Sequence, residues 1–107
     1  MSLDPRLARL QAVIRERKGG DAGSSYVASL FAKGRAKIAQ KVGEEATETV
    51  IAALTGRSEE LTAEAADLLF HLMILLEDAG SDLDTVLTEL ERRDGVSGHA
   101  EKASRPS

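Results

Sequence analysis

Five carboxylates stand out in the stretch 41–67: Glu44, Glu45 and Glu48, then Glu64 and Asp67. Glu45 and Glu48 are three residues apart, and so are Glu64 and Asp67. Residues three or four apart share a helix face, so two helical segments would each offer a carboxylate pair one turn deep. Ala46, Val50, Ile51, Ala53 and Leu54 accompany the first pair; Ala65, Ala66, Leu68, Leu69 and Phe70 accompany the second. Carboxylates beside an apolar face are costly unless something pairs with them. Several converging would also repel one another and raise one another's pKa values. Bound cations relieve both effects, and hard oxygen ligands suit Mg²⁺, Mn²⁺ or Ca²⁺. With no cysteine and two histidines, the chain offers little for zinc. The competing reading is a solvated helix face, since glutamate is a good helix former. Either motif alone fits that reading. The two together, inside apolar helices, are more specific, and a cation site and a solvated face both remain open.

A basic run, Lys33, Arg35, Lys37 and Lys41, leads directly into the first acid cluster. It reads either as a solvated face or as a set of phosphate contacts. Grouped carboxylates holding Mg²⁺ beside basic residues suit phosphate chemistry, where metals bridge phosphate oxygens and lower the pKa of a bound water. No Ser-His-Asp arrangement, cysteine nucleophile or GxxxxGK[ST] loop is present. Direct attack by water therefore fits better than a covalent intermediate.

The elements that must position these groups are helices. Asp4-Pro5 predicts a helix start, with Asp4 as N-cap and Pro5 in the first turn. Leu3, Leu7, Leu10, Val13 and Ile14 keep helical spacing, and Lys18-Gly19-Gly20 ends the segment. Ser24 or Ser25 caps a short second helix through Tyr26, Val27, Leu30 and Phe31, which Gly34 interrupts or ends. A third helix is predicted over 35–55, with Ile38, Val42, Ala46, Val50, Ala53 and Leu54 as its apolar stripe. Gly43 inside it costs about 1 kcal/mol relative to alanine, which is tolerated weakness or room for a close helix or ligand. Gly56 closes this helix, and Ser58 is predicted to cap a fourth that reaches about residue 79. The fourth is apolar nearly all round, the mark of a buried helix. His71, four residues past Asp67, reads as a hydrogen-bonded core histidine; the alternative is a partner that orients Asp67. A fifth helix begins at Ser81 or Asp82 and turns Leu83, Val86, Leu87 and Leu90 inward.

These elements predict an all-α bundle of about five helices, completed by dimerisation: a small domain buries a limited share of its surface, and homodimerisation would cover the apolar fourth helix. A length of 107 residues predicts a single domain over 1–107, ending in a polar tail, 96–107. The net charge of −4 implies no nucleic-acid surface. Absence of cysteine excludes disulfides and fits a cytoplasmic protein. The N-terminus has no apolar signal-peptide core, and the longest apolar run, 68–76, is too short to span a membrane.

The pattern Glu44-Glu45-x-x-Glu48 with Glu64-x-x-Asp67 resembles the all-α nucleoside triphosphate pyrophosphohydrolases (MazG-like). Four stretches narrow the resemblance to the phosphoribosyl-ATP pyrophosphatases: SYVASLFAKG, KIAQKVGEEATETVIAA, EAADLLFHLMILL and SGHAEKASR. The resemblance covers nearly the whole chain and implies a stand-alone enzyme of histidine biosynthesis. The implied reaction converts phosphoribosyl-ATP and water to phosphoribosyl-AMP and pyrophosphate. It implies Mg²⁺, with Mn²⁺ as a substitute, on Glu45, Glu48, Glu64 and Asp67. Glu44 is then a further ligand or the base that orients water. Lys41, Lys102 and Arg105 are the expected contacts to substrate phosphates, joined in the tail by Ser97 and Ser104. A dimeric helical architecture is implied as well. Two alternatives remain open: a house-cleaning dNTP pyrophosphohydrolase of the same superfamily, and a non-enzymatic helical dimerisation module.

Overall fold

A side-chain cap opens the first helix, as the sequence predicts: the Asp4 carboxylate accepts the backbone N–H of Arg6 at 2.8 Å. The computed structural model describes residues 3–94. Five helices follow in order: α1 (Pro5–Arg17), α2 (Tyr26–Lys33), α3 (Arg35–Thr55), α4 (Ser58–Asp78) and α5 (Leu83–Arg92). No strand occurs among the described residues, and the protein is all-α. Lys102, Arg105, Ser97 and Ser104 lie outside the described residues.

Local chemistry sets the other boundaries. Ser25, not Ser24, caps α2 through its hydroxyl and Ala28 N–H. Asp82, not Ser81, caps α5 by accepting from Thr85 N–H at 2.8 Å. Ser58 is the first residue of α4 and not its cap; Arg57 holds the cap position with no side-chain hydrogen bond. Gly34 is at once the last cap of α2 and the first of α3, at φ 97° and ψ 168°. That region is essentially restricted to glycine.

The frame is the α3–α4 hairpin, two 21-residue helices joined through Gly56 and Arg57. One core unites all five helices: Ile14, Val27, Leu30, Ile38, Met73, Ile74 and Leu83. It gathers at one end of the hairpin, around the start of α3 and the later turns of α4. Cations reinforce that end. Arg15 bridges Glu77 and Asp82, both at 2.7 Å. Arg35 pairs with Asp78 at 3.0 Å, and Lys18 donates to the Glu77 carbonyl. Positive groups there complement the negative end of the α4 dipole.

The other end of the hairpin departs from the predicted pattern. Val50 and Leu54, expected to face inward, are 57% and 82% exposed, and neighbouring Ile51 is 55% exposed. The helices α1, α2 and α5 leave this end open, and among the described residues nothing covers it. Leu90, also expected inward, is half exposed, and Leu69 shows that α4 is not buried all round. No described residue approaches Gly43 closely: a Cβ built there would meet nothing within 4 Å.

Candidate active site

Where α3 and α4 pass each other, three carboxylates converge. One oxygen each from Glu45, Glu48 and Glu64 lies within 4.8 Å of the other two. Spacing brings Glu45 and Glu48 onto one face of α3; the hairpin brings Glu64 to them. Glu45 is buried at 8% exposure, Glu64 is half-buried, and Glu48 is exposed. Glu48 borders two shallow clefts, one with Ala52, Glu60 and Glu64, the other with Gln40, Gly43 and Glu44.

Two oxygens in this group, Glu45 Oε2 and Glu64 Oε2, are fully buried and find no hydrogen-bond partner. A buried acceptor without a donor costs about 1–3 kcal/mol. Contact with Glu48, desolvation and the negative charges of Glu48 and Glu45 push the Glu64 carboxyl up to about 7. An all-oxygen, all-acidic donor set with orphaned buried oxygens fits a hard divalent cation.

The remaining sequence candidates divide. Glu44, on the exposed side of α3, lies outside the three-carboxylate group and accepts from Gln40 Nε2 at 3.5 Å. Asp67, one turn further along α4, is exposed and also lies outside it. Lys41 reaches the cluster: its Nζ is 3.7 Å from Glu45 Oε1 and 3.9 Å from Glu44 Oε2. His71 is 4% exposed and hydrogen-bonded at both ring nitrogens. Its link to Asp67 runs to the backbone carbonyl, at 2.7 Å, and not to the carboxylate. Its other partner, Tyr26 Oη at 2.7 Å, was not anticipated. A signal existed: a buried imidazole needs two partners, and Tyr26 is the one phenol in the sequence.

Comparison with known proteins bears directly on this hairpin. Residues 7–94 match the profile of the phosphoribosyl-ATP pyrophosphohydrolase family. The chain belongs to that family. Three similar proteins each carry the name phosphoribosyl-ATP pyrophosphatase. The protein of Erythrobacter litoralis is 63% identical over 99 residues, covering 92% of this chain and 95% of the relative. That of Novosphingobium aromaticivorans is 66% identical, covering 92% of each chain. That of Zymomonas mobilis is 60% identical over 100 residues, covering 94% of each. Like other members of this family, the chain is a hydrolase. No helix among the described residues is long and apolar enough to cross a membrane.

Proposed function

We propose that this chain hydrolyses phosphoribosyl-ATP to phosphoribosyl-AMP and pyrophosphate with Mg²⁺, as the second step of histidine biosynthesis in the cytoplasm. The observation that carries the reading is the Glu45–Glu48–Glu64 group with its two unpartnered buried oxygens, in a chain of this family. Glu45, Glu48 and Glu64 would hold the cation, with Asp67 joining from the next turn of α4; Mn²⁺ suits the same oxygens. When bound, the cation supplies charge neutralisation to the phosphates and acidifies a coordinated water.

The chain's own residues do the rest. Water adds across the anhydride between the α- and β-phosphates, so one P–O bond forms, one breaks and a proton is released. Glu44, exposed beside the cluster, would accept that proton from water. Lys41 balances the acids in the free enzyme and has the reach to turn to a substrate phosphate. Lys102 and Arg105 are further candidates for phosphate contact, drawn from the sequence alone. The exposed Val50, Ile51 and Leu54 support a homodimer that covers the open end of the hairpin.

Pyrophosphate release in Mg²⁺ tests the reading, with phosphoribosyl-ATP compared against ATP and a panel of dNTPs and with an EDTA control. Metal-dependent turnover of phosphoribosyl-ATP alone is expected. Preference for dNTPs would move the function to nucleotide-pool cleaning, and no turnover at all would favour a binding module.

A further inference from the structure

Tyr26 and His71 join α2 to α4 immediately beyond the acidic face. His71 Nδ1 lies 2.7 Å from the Asp67 carbonyl oxygen, which can only accept, so Nδ1 carries the proton. In the neutral ring Nε2 is then the acceptor, and Tyr26 Oη, 2.7 Å away, donates to it. In that tautomer Tyr26 donates to His71, and His71 donates to the backbone of Asp67. Ring packing locks the arrangement. Tyr26 stacks on Phe70 with centroids 6.4 Å apart, and both rings meet His71 edge-on. Tyr26 is nevertheless half exposed, so its hydroxyl could have been satisfied by water. Its use on a buried imidazole calls for a reason beyond filling the core.

That reason lies one turn away. Like charges on Glu45 and Glu48 of α3 and Glu64 of α4 push the two helices apart at the site. The chain Tyr26–His71–Asp67 ties the acidic turns of α4 to α2, from a residue two turns beyond Glu64 on the same face. We propose that Tyr26 and His71 are positioning residues, which set the placement of the Glu64–Asp67 turn so that its carboxylates meet a divalent cation together with Glu45 and Glu48. The inference rests on the proposed reading of this group as the cation site. Partners that orient ligands commonly change metal affinity or activity by 10–100-fold when removed.

The test is Mn²⁺ binding to the full-length protein by calorimetry, with thermal unfolding and steady-state kinetics on the same samples. Tyr26→Phe removes one oxygen and keeps the stacked ring. The expected result is Mn²⁺ binding weakened about tenfold, a reduced kcat for phosphoribosyl-ATP with KM little changed, and an unfolding transition close to wild type. His71→Gln, whose amide can still meet Tyr26 Oη, is expected to retain more of the affinity than His71→Leu. Unchanged Mn²⁺ affinity and kcat in Tyr26→Phe would overturn the inference while leaving the cation site standing. So would loss of folding in both Tyr26→Phe and His71→Gln, since the pair would then be structural. A wild type that binds Mn²⁺ but does not turn over phosphoribosyl-ATP would overturn the proposed reaction, and the effect of Tyr26→Phe on binding would still decide the positioning role. A wild type that binds no Mn²⁺ would overturn both.

Discussion

Cation binding to the three-carboxylate group should expel a proton, and the amount follows from Glu64. With its carboxyl pushed up to about 7 by Glu48, burial and Glu45, Glu64 is about half protonated at neutral pH. A divalent cation requires the ionised form, so binding should release about 0.5 proton at pH 7, about 0.9 at pH 6 and about 0.1 at pH 8. The same titration makes Mn²⁺ binding about fivefold weaker at pH 6 than at pH 7 and about twofold tighter at pH 8. Calorimetric titration of Mn²⁺ in buffers of different ionisation enthalpy reads the proton count directly. Glu64→Gln should abolish both the cation affinity and the buffer dependence. Proton release that is absent, or equal at pH 6 and pH 8, would refute the reasoning, because it would mean that Glu64 is already ionised in the free protein. The stability of the cation-free protein provides an independent check. The folded state holds the Glu64 proton more tightly than the unfolded chain, whose ordinary value is 4.5. Between about pH 4.5 and 7 the folded state therefore binds more protons, and stability falls as pH rises through that window. Glu64→Gln should flatten this slope.

Glu45→Gln and Asp67→Asn should lose turnover while keeping wild-type helicity by circular dichroism; full activity in either would remove that acid from the site. Ile74→Ala, in the fully buried centre of the core, should cost about 2–5 kcal/mol in chemical denaturation, and a loss below 1 kcal/mol would show that the core relaxes around it. Leu54→Glu, at the open end of the hairpin, should shift sedimentation from a dimer towards the 11.4 kDa chain; an unchanged profile would place any dimer contact elsewhere. Deletion of residues 97–107 should raise KM for phosphoribosyl-ATP with little effect on unfolding, and unchanged kinetics would exclude a role for the tail in substrate binding.

How much could be read from the sequence depended on the range of the interactions involved. Asp4, Gly56 and Asp82 mark helix ends through bonds or dihedrals spanning a few residues, and those boundaries were legible. Pairing of Glu45 with Glu48 follows from helical spacing alone. The meeting of Glu64 with both, and the position of Asp67 outside that group, depend on how α3 and α4 pass each other, which no local spacing encodes. The exposure of Val50 and Leu54 is hidden from the sequence for a related reason. Periodicity identifies an apolar face but not what covers it, and in the single chain α1, α2 and α5 cover only the other end. The tie between Tyr26 and His71 spans 45 positions; only the need of a buried imidazole for two partners hinted at it.

Gly34 joins α2 to α3 with no residue to spare, at a backbone conformation that other residues resist. A linker of one residue keeps the end of α2 against the start of α3, and only the torsions of Gly34 can change the angle between them. Tyr26 and the carboxylates of α3 therefore stand on helices that share one short covalent joint. Lengthening the chain at position 34 would uncouple them. Lengthening it at the exposed Gly56–Arg57 tip would extend a surface turn and leave that joint intact. The two ends of α3 thus differ in their tolerance of insertions, and the intolerant joint lies at the end furthest from the hairpin tip.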